Sequence, residues 1–505
     1  MKKREGIALL LALTVLACAA AFASNGTQIG TVGARSTAMG SAFRGLADDW
    51  SAVYFNPAGL TQLDAKWTIG ASAGYLMPRG SYQAYAYPTN PFAGLATTEV
   101  EAAARNFLVP AFSVFYKASE KLTAGLGVYA PNGLGTEWNF VSIPASYGNA
   151  GAISKESEFY SDHQVIDIAP TVAYQITDKL SVGLGLKYTI GKMAIDQVML
   201  PQTRLIMYQN ACGAMPLAQI DLLLGGIAQI GSLIQNPVDP SRIIVENNLE
   251  GDGSAMGANL GLLFKVSEKL SIGVSGRYST DLKLKGTYKL TAGMPNLLPH
   301  IAALAQAGQI DANTAAVLNG TFDGKNHNFG SYEDVEAELP LPLVVGGGIA
   351  FKPSGRLTLT ADATYTNWSA WDKVIVKYNG EEINELGLEW ENTIEIGAGV
   401  EWLAKQMECK NLFLRLGGYT VDSPVPNTTM NPTLLDPARR YVVTAGVGLE
   451  LGKLTVDLAY ERVIFGEKDI PASEYDPGAS GHMLNYAGIY NFNANVFTLG
   501  VSVGL

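Results

Sequence analysis

The sequence predicts an all-β protein: a 14-stranded antiparallel transmembrane β-barrel, preceded by an N-terminal hatch that plugs the lumen. Three observations predict it. Apolar and small or polar residues alternate with period two along most of the chain, polar turns recur before these stretches, and short connections alternate with long ones. Period-two alternation indicates strands with one apolar face, and short turns at one end with long loops at the other are typical of outer-membrane barrels.

Composition supports a folded membrane protein. Charged residues make up 16% of the chain and hydrophobic residues 48%, and there are 55 glycines among 505 residues. Low charge with high apolar content argues against disorder. A net charge of −11 and the lack of a basic run argue against nucleic-acid binding. Beyond the N-terminus no apolar run reaches the ~18 residues of a transmembrane helix, so helical membrane proteins are excluded.

The start of the chain predicts export. A basic start and an apolar stretch at 7–17 are followed by a small-x-small pattern from Ala21 to Ala23. This order is typical of a cleaved signal peptide, which we place at residues 1–23. A lipoprotein site at Cys18 is the alternative, but Cys18 lies inside the apolar stretch and the later site is better formed.

A polar turn followed by strict alternation recurs along the chain. Each copy predicts a tight hairpin turn that leads into a strand. The clearest copies are SEKLTAGLGVY at 119–129, TDKLSVGLGLKY at 177–188 and SEKLSIGVSGRY at 267–278, and looser copies occupy 353–365, 409–419 and 451–460.

The alternating faces are suited to a bilayer. Along 181–190 the even-numbered residues are apolar and include Tyr188, whereas the odd-numbered ones are Ser, Gly, Lys and Thr; 393–402 is similar and ends at Trp402. Aromatic residues at the end of an apolar face suit a membrane interface. A soluble β-sandwich would also alternate, but several predicted strands are longer than the ~5–6 residues usual in soluble sheets. The barrel is therefore favoured.

The predicted barrel spans residues 66–505, with both chain ends on the periplasmic side and long outer loops at about 197–253 and 291–334. Cys212 and Cys409 then lie at opposite ends, so no disulfide is expected between them. The fourteen predicted strand cores are 66–77, 106–117, 121–137, 163–176, 180–196, 254–266, 270–290, 335–352, 357–378, 390–404, 411–421, 440–450, 453–463 and 490–505.

Residues 24–65 precede the first strand and are rich in Gly, Ala and Ser. Small residues permit close packing in a narrow space, so we expect this segment to form the hatch inside the lumen. It ends in Asn56-Pro57-Ala58-Gly59. Asn56 can bond its own backbone, Pro57 fixes φ, and glycine tolerates unusual dihedral angles. The tetrapeptide thus predicts a rigid corner from plug to wall, although alone it would fit an ordinary loop.

Pro131, Asn132 and Gly133 interrupt the predicted third strand. Proline lacks a donor for the strand ladder, and glycine inside a strand often marks a bulge. The simplest alternative is that the strand ends here. Because the strand pattern resumes from Gly135 to Trp138, a kink within one strand is favoured.

The two long outer loops contain apolar segments, IDLLLGGIAQIGSLI within 197–253 and MPNLLPHIAALAQAG within 291–334. Both predict short apolar or amphipathic helices outside the cell, and exposed apolar patches often mark binding sites. The alternative is that they pack only on each other. The candidate substrate-binding residues are Leu222, Leu223, Leu224, Ile227, Leu297, Leu298 and Ile301.

Three basic residues, Lys187, Arg277 and Arg415, are predicted to face the lumen and could hold a carboxylate. The alternative is pairing with inward acids, which would favour a neutral hydrocarbon as substrate. The acids on that predicted face are Asp167, Asp362, Glu395, Glu401, Asp457 and Glu461.

No metal or cofactor site is expected. No Cys/His spacing suggests a metal, and the sequence contains no recognisable cofactor motif. We expect the four histidines to lie in or beside solvated loops; they are His163, His300, His327 and His482.

Four motifs occur in order: NPA at 56–58, YAPNGLGTEW at 129–138, YTNWSAW at 365–371 and VDSPVP at 421–426. With them the chain resembles the outer-membrane long-chain fatty-acid and aromatic-hydrocarbon transporter family (FadL/TodX type, OMPP1). The resemblance implies a hatch ending at the NPA motif, a wall gap at the kinked third strand and substrate capture in the outer loops. It also implies passive release sideways into the membrane.

The resemblance further implies a place in the outer membrane of a Gram-negative bacterium, surrounded by lipid and lipopolysaccharide, with a hydrophobic small molecule as substrate. The sequence does not fix the oligomeric state, but a plugged fourteen-stranded barrel can stand alone, so a monomer is expected. A general porin for polar solutes is the main alternative, and the plug argues against it. An outer-membrane lipase would need an outward Ser–His pair, which the sequence does not suggest. We therefore expect no enzyme activity. One departure is the C-terminal Leu505, since outer-membrane strands often end in an aromatic residue.

Overall fold

The structure is a computed structural model. It describes residues 26–30, 32–85, 99–139, 159–199, 244–293, 298–321, 323–408, 410–430, 433, 436–471, 474 and 487–505. The predicted signal peptide, Cys212, Cys409 and His482 lie outside these residues, so the expectations about them stay predictions.

Strands dominate the described residues, as the alternation predicts. The strands are β1 (Trp67–Ala84), β2 (Val100–Glu101), β3 (Phe107–Lys117), β4 (Leu122–Trp138), β5 (Phe159–Gln175), β6 (Leu180–Met199), β7 (Ile244–Ser267), β8 (Leu270–Ser279), β9 (Leu282–Gly293), β10 (Asn326–Leu339), β11 (Val344–Ser354), β12 (Leu357–Thr366), β13 (Lys373–Tyr378), β14 (Glu381–Gly387), β15 (Thr393–Met407), β16 (Lys410–Val421), β17 (Arg440–Leu451), β18 (Leu454–Phe465), β19 (Lys468–Ile470) and β20 (Gly488–Gly504).

Helices are few and short in the described part. They are α1 (Ala34–Ala38), α2 (Ala52–Phe55), α3 (Leu298–Gln306) and α4 (Ala312–Thr321), with 3₁₀ turns at Pro57–Gln62 and Trp368–Ala370. Among the described helices, none has the length and apolar content needed to cross a membrane.

The strand pairing closes into a ring. β1 pairs with β3 on one side and with β20 on the other, all antiparallel, so the first and last wall strands join. Two of the fourteen wall strands are interrupted. One is formed by β8 and β9 together, and the other by β10 and β11. β13 and β14 form a hairpin that extends the wall at its outer end. The fourteen-stranded barrel predicted from the sequence is confirmed.

The alternating faces point as predicted. On β6, Leu186 is 58% exposed and Tyr188 44%, whereas Lys187 between them is buried. Tyr174 and Trp402 are likewise exposed near the periplasmic turns. Side chains that are apolar and exposed on a closed wall face the bilayer, and the aromatic residues at both ends of the apolar band suit its interfaces.

Both long outer loops are shorter than predicted. β6 runs to Met199 and β7 starts at Ile244, so the loop assigned to 197–253 is wrong at both bounds; β9 and β10 likewise shorten the loop assigned to 291–334 to the interval between Gly293 and Asn326. The physical reason is that strands above the bilayer keep their backbone ladder but need no apolar face. The alternation that identified the other strands is therefore missing there.

The N-terminal segment, described over residues 26–30 and 32–65, lies inside the ring. Inward side chains donate to its backbone: Asn259 to the Val53 carbonyl at 2.8 Å, and Ser275 to the Phe55 carbonyl at 2.5 Å. An inward glycine makes room for it, since a Cβ on Gly273 would lie 1.9 Å from the carbonyl oxygen of Arg44. Small and polar inward residues thus hold the segment tightly against the wall.

Candidate functional site

The wall has a gap between β3 and β4. These strands pair from Lys117↔Thr123 to Ala111↔Tyr129 and no further, although β4 continues to Trp138. Beyond this pairing, the next backbone hydrogen bond across the gap runs from the Ala103 amide, just before β3, to the Glu137 carbonyl at 2.9 Å. Along the interval between, β3 is held by β1 and β4 by β5, but not by each other.

The predicted kink lies at this gap. The pairing of β4 with β5 shifts register between Tyr129 and Asn132, so Ala130 and Pro131 have no partner in β5. Pro131 has no N–H to donate, which makes it suited to a position where the ladder is broken. The alternative that the strand simply ends here is wrong, because pairing with β5 resumes and runs to Trp138.

Residues Thr27 to Ile29 occupy the edge of β4 that β3 leaves free. The Ile29 amide donates to the Pro131 carbonyl at 2.9 Å, and the Gly133 amide donates to the Thr27 carbonyl at 2.7 Å. Gln28 and Asn132 form the antiparallel bridge between them. The start of the N-terminal segment therefore replaces three residues of wall strand, and we call it the seal (Thr27–Ile29).

Apolar packing completes the seal. Ile29 is 2% exposed and packs in a small cluster with Phe107 and Val109 of β3 and Ala130 of β4. Side-chain hydrogen bonds add to this: the Asn132 amide donates to the Thr27 hydroxyl at 3.0 Å, the Tyr54 hydroxyl to the Ile29 carbonyl at 3.1 Å, and the Gln28 amide to the Thr366 hydroxyl at 3.3 Å. The gap is thus closed by a few short contacts.

Behind the seal is a small cavity of about 20 Å³. It is lined by Gln28 and by Asn132 of the kink, and it brings together Lys187, Arg277 and Asp167. Space of this size is sufficient for a water molecule. The structure therefore places two of the three predicted basic residues beside the kink.

The charges at this cavity are not equivalent. The Lys187 ammonium is bound to Asp167 at 3.0 Å, and Asp167 also accepts from Thr189 at 2.6 Å. Arg277 instead lies over the ring of Tyr54, 3.9 Å from its centroid. Within the described residues Arg277 has no carboxylate partner and its Nη1 has no hydrogen bond. Its positive charge is the least compensated of the three.

Arg415 lies far from these residues, at the periplasmic end. It binds Glu401 at 2.7 Å and Asp457 at 2.6 Å, and Arg35 of α1 binds the same Glu401 at 2.7 Å. These groups line a separate polar cavity of about 320 Å³ between α1 and the wall. For Lys187 and Arg415 the pairing with inward acids is what the structure shows.

The NPA motif is fixed against β6 and β7. Asn56 is fully buried; its side-chain oxygen accepts from the Ala58 amide at 3.2 Å, and its nitrogen donates to the Arg44 and Leu262 carbonyls at 3.0 Å. A Cβ on Gly261 would lie 2.2 Å from the Asn56 oxygen. The motif therefore joins the N-terminal segment to the wall.

Above the N-terminal segment, the other three motifs meet in one buried aromatic cluster. Trp138 comes from the second motif, Trp368 and Trp371 from the third, and Val425 from the fourth. The rings of Trp371 and Trp390 are 4.4 Å apart. The sequence analysis did not single out these tryptophans. Their concentration within motifs next to loops was the available signal, but sequence does not show that separate loops converge.

His163 corrects another expectation. It lies within β5, near the outer end of the strand, rather than in a loop; it faces inward and is 1% exposed. Its ring is 6.3 Å from that of Trp371. His327 also lies in a strand, β10, and binds Asp323 at 2.9 Å. The expectation of solvated loop histidines is wrong for both, since polar strand ends above the bilayer were read as loops.

Some of the outer-loop candidates can be placed. The helix predicted in the second loop is present as α3, where Leu298 is 36% exposed and Ile301 is fully buried. The helix α4 beside it was not predicted. The remaining candidates, Leu222, Leu223, Leu224, Ile227 and Leu297, lie outside the described residues.

Comparisons with known proteins agree with this geometry. The sequence profile of the family described as outer membrane protein transport protein (OMPP1/FadL/TodX) matches residues 10–504. A Neisseria meningitidis serogroup B protein described as an outer membrane protein is 26% identical over 476 residues, covering 90% of this chain and 89% of that protein. The long-chain fatty acid transport protein of Escherichia coli O6:H1 is 23% identical over 411 residues, covering 81% and 80%.

Solved structures share the fold. A Pseudomonas aeruginosa FadL homologue superposes with a TM-score of 0.66 at 17% identity, covering 95% of this chain and 99% of that one. The Pseudomonas putida toluene transporter TodX gives 0.64 at 15% identity, covering 94% and 98%. At these identities the likeness concerns the fold, and it includes the fourteen-stranded barrel.

Proposed function

The chain belongs to the outer membrane protein transport protein family (OMPP1/FadL/TodX), and we propose that it takes up hydrophobic compounds passively and releases them sideways through the gap between β3 and β4. The family is one of transporters and not of enzymes, and the protein is an outer-membrane β-barrel. Long-chain fatty acids and hydrocarbons are the substrate classes to test, because relatives carry those names.

The proposed route has three stages. Apolar residues of the outer loops, including Leu298 and the candidates from Leu222 to Ile227, collect the compound, driven by burial at roughly 25 cal/mol per Å². The compound then enters the lumen beside the aromatic cluster around Trp371. Movement of the N-terminal segment, acting as a hatch, finally opens the gap toward the membrane.

The observation that carries the proposal is the unpaired interval between β3 and β4 with the seal in place of a wall strand. Seven residues of β4, 130–136, have no partner in β3, and the seal pairs with only part of this edge. The seal is held by neutral contacts: two backbone hydrogen bonds to β4, side-chain hydrogen bonds from Asn132, Tyr54 and Gln28, and the packing of Ile29. Segments held by few buried contacts are those that open locally at low free-energy cost.

A reversible lock tests the route. Gln28 and Asn132 are bridge partners, and Cα atoms of such pairs are close enough for a disulfide. We expect Gln28→Cys/Asn132→Cys, in a chain whose Cys212 and Cys409 are replaced by Ser, to lose at least tenfold in uptake rate when oxidised. Reduction should restore it. Uptake of radiolabelled oleate and toluene by cells expressing the protein is the measurement.

The matched control is Val114→Cys/Leu126→Cys, a pair of the same two-strand sheet below the gap. Its disulfide joins strands that are already paired, so uptake should not change. Undiminished uptake by the oxidised Gln28/Asn132 variant would contradict sideways release, while leaving the transport of hydrophobic compounds intact.

Substitution of Arg277 can distinguish between a fatty acid and a neutral hydrocarbon as substrate. Because its guanidinium lacks a carboxylate partner, we expect Arg277→Gln to weaken binding of a fatty acid to the purified protein by about 1–3 kcal/mol, the usual loss for a charge-assisted hydrogen bond. Toluene, which has no carboxylate, is the internal control and should bind equally to both proteins. Equal fatty-acid binding by the variant would favour a neutral hydrocarbon as the natural substrate.

A general porin for polar solutes is the competing proposal. The N-terminal segment, most of whose described residues are buried, fills the ring at the level of the bilayer and leaves little room for an open aqueous channel. Large, steady conductance in a planar bilayer would contradict uptake of hydrophobic compounds and support the porin.

A further inference from the structure

The outward face of β18, β20 and β1 carries an apolar belt with aromatic residues at its outer and its periplasmic end. Tyr460, Phe497 and Tyr75 form one cross-strand row near the outer end. Trp67 marks the periplasmic end of the same face. From Trp67 to Tyr75 the strand extends about 26 Å along its own axis, which at the usual tilt of about 40° is roughly 20 Å across the membrane, close to the ~25 Å apolar band of outer-membrane barrels. The row of three aromatic rings therefore marks the outer membrane interface.

Beyond this row the outward face carries two arginines, one two residues farther out on β18 and one four residues farther out on β1. Arg462 of β18 is the register partner of Asn495, and Arg79 of β1 is that of Asn493, so both arginines stand on the outward face with β20 between them. Arg462 donates to the side-chain oxygens of Asn493 at 3.0 Å and Asn495 at 3.2 Å. Arg79 donates to the Asn106 side-chain oxygen at 3.2 Å.

These partners are neutral amides, so the two positive charges are not compensated. Within the described residues neither arginine has a carboxylate at ion-pair distance. Of the acids farther out, Glu99 accepts from Ser81 and Asp469 accepts from the Tyr85 hydroxyl at 2.6 Å. Glu101 is the register partner of Ser81, which stands two positions beyond Arg79 on β1.

The opposite side of the barrel shows what a compensated surface looks like. There, one cross-strand row carries alternating charges on successive strands, with Lys285 and Glu336 in contact at 2.7 Å. Positive and negative groups alternate along the whole row, so it carries no local excess. Its members in register order are Lys192, Asp252, Lys285, Glu336, Lys377 and Glu382.

We propose that Arg79 and Arg462 bind a phosphate of an anionic glycolipid of the outer leaflet, with chemistry of the bisphosphorylated lipid A type. A guanidinium presents planar, bidentate donors that match phosphate oxygens. Asn493 and Asn495 add amide N–H₂ donors between the two arginines. The exposed apolar surface of Phe497 and Leu499 directly below would contact the acyl chains of the same lipid.

A lipid is favoured over free phosphate because of this position. The arginines stand at the depth where headgroup phosphates lie, next to an apolar surface that a free ion would not use. Arginines at an anionic membrane surface contribute about 1 kcal/mol each, which corresponds to about fivefold in affinity.

The test uses the full mature protein in a neutral detergent and a fluorescent lipid A that bears two phosphates. We expect Arg79→Gln and Arg462→Gln each to weaken binding about fivefold, and the double variant roughly 25-fold. The control is Lys285→Gln/Glu336→Gln, which removes one ion pair from the compensated row and should leave affinity unchanged.

A second variant guards against misfolding of the first. Asn495→Asp keeps the side-chain shape but places a carboxylate beside Arg462, and it should weaken binding about as much as Arg462→Gln. Unchanged affinity in both kinds of variant, or an equal loss in the control, would overturn the proposal. Equal binding of a dephosphorylated lipid A would also overturn it, and displacement by millimolar inorganic phosphate alone would assign the site to the free ion.

Discussion

The N-terminal segment meets two arcs of the barrel wall in very different ways. On the arc from β12 to β18 it is held by buried charges: Asp362 accepts from the Phe43 and Arg44 amides at 3.0 and 2.9 Å, and Arg35 is bound to Glu401. On the arc of β3 and β4 it is held by the seal, by the contact of the Tyr54 ring with that of Tyr129 and by a hydrogen bond from Lys117 to the Leu63 carbonyl. Within the described residues, no ion pair joins the segment to this arc. The first arc anchors the segment through buried charges, whereas at the gap its first residues are held by neutral hydrogen bonds and apolar packing.

This difference explains how the segment can stay anchored on one arc of the wall and still move at the other. Buried, paired charges are costly to break one at a time, because the remaining charge is left without a partner. Backbone hydrogen bonds at an edge can exchange for water or for another strand at much lower cost. We therefore expect opening to begin at the seal while the segment remains anchored on the opposite arc.

The largest expected effect concerns the anchor. Arg415→Ala leaves Glu401 and Asp457 without one of their partners, and we expect it to destabilise the protein by about 3–5 kcal/mol. We expect a destabilisation at the lower end of this range, because the adjoining cavity of about 320 Å³ gives these groups room for water. Urea unfolding followed by tryptophan fluorescence measures it.

The control is Arg439→Ala. Arg439 pairs with Asp422, but both side chains are more than half exposed, at 53% and 57%. Exposed pairs contribute about 0–1 kcal/mol. Equal losses in the two variants would show that the anchoring arc is no stronger than the surface.

A smaller effect tests the close packing of segment and wall. A Cβ on Gly273 would lie 1.9 Å from the Arg44 carbonyl oxygen. We expect Gly273→Ala to cost about 1–3 kcal/mol through overpacking and to loosen the segment, which would raise the conductance in a planar bilayer. Gly276→Ala on the same strand is the control, because its nearest neighbour would be 3.7 Å away. Unaltered conductance in Gly273→Ala would indicate that the barrel wall, and not the N-terminal segment, shifts to accommodate the added methyl group.

The smallest effect concerns the seal. Ile29→Val removes one methylene from its cluster, and such changes usually cost about 0.5–1.5 kcal/mol. If opening of the seal limits release, uptake of toluene should become faster by about two- to twelvefold. Ile394→Val is the control, since Ile394 is 60% exposed on the membrane face. A slower rate in Ile29→Val would contradict the role of the seal as a barrier.

Local patterns predicted the strands well and the residues above the bilayer poorly. The strand cores at 121–137 and 180–196 were nearly correct because alternation depends only on which residues face the bilayer. The outer ends of β7 and β10 were missed because both faces are polar there. The kink at Pro131 was predictable, since proline and glycine restrict or free the backbone at their own positions.

The sequence by itself determined the number of strands, the face of each that meets the membrane and the position of the kink, because these follow from residues close together in the chain. Only the tertiary structure decided that Thr27 to Ile29 would replace β3 beside that kink, and that Arg277 alone of the three basic candidates would lack an acid. Those outcomes depend on the register with which distant strands close the ring. Register sets which inward side chains meet across the lumen, and no local pattern encodes it.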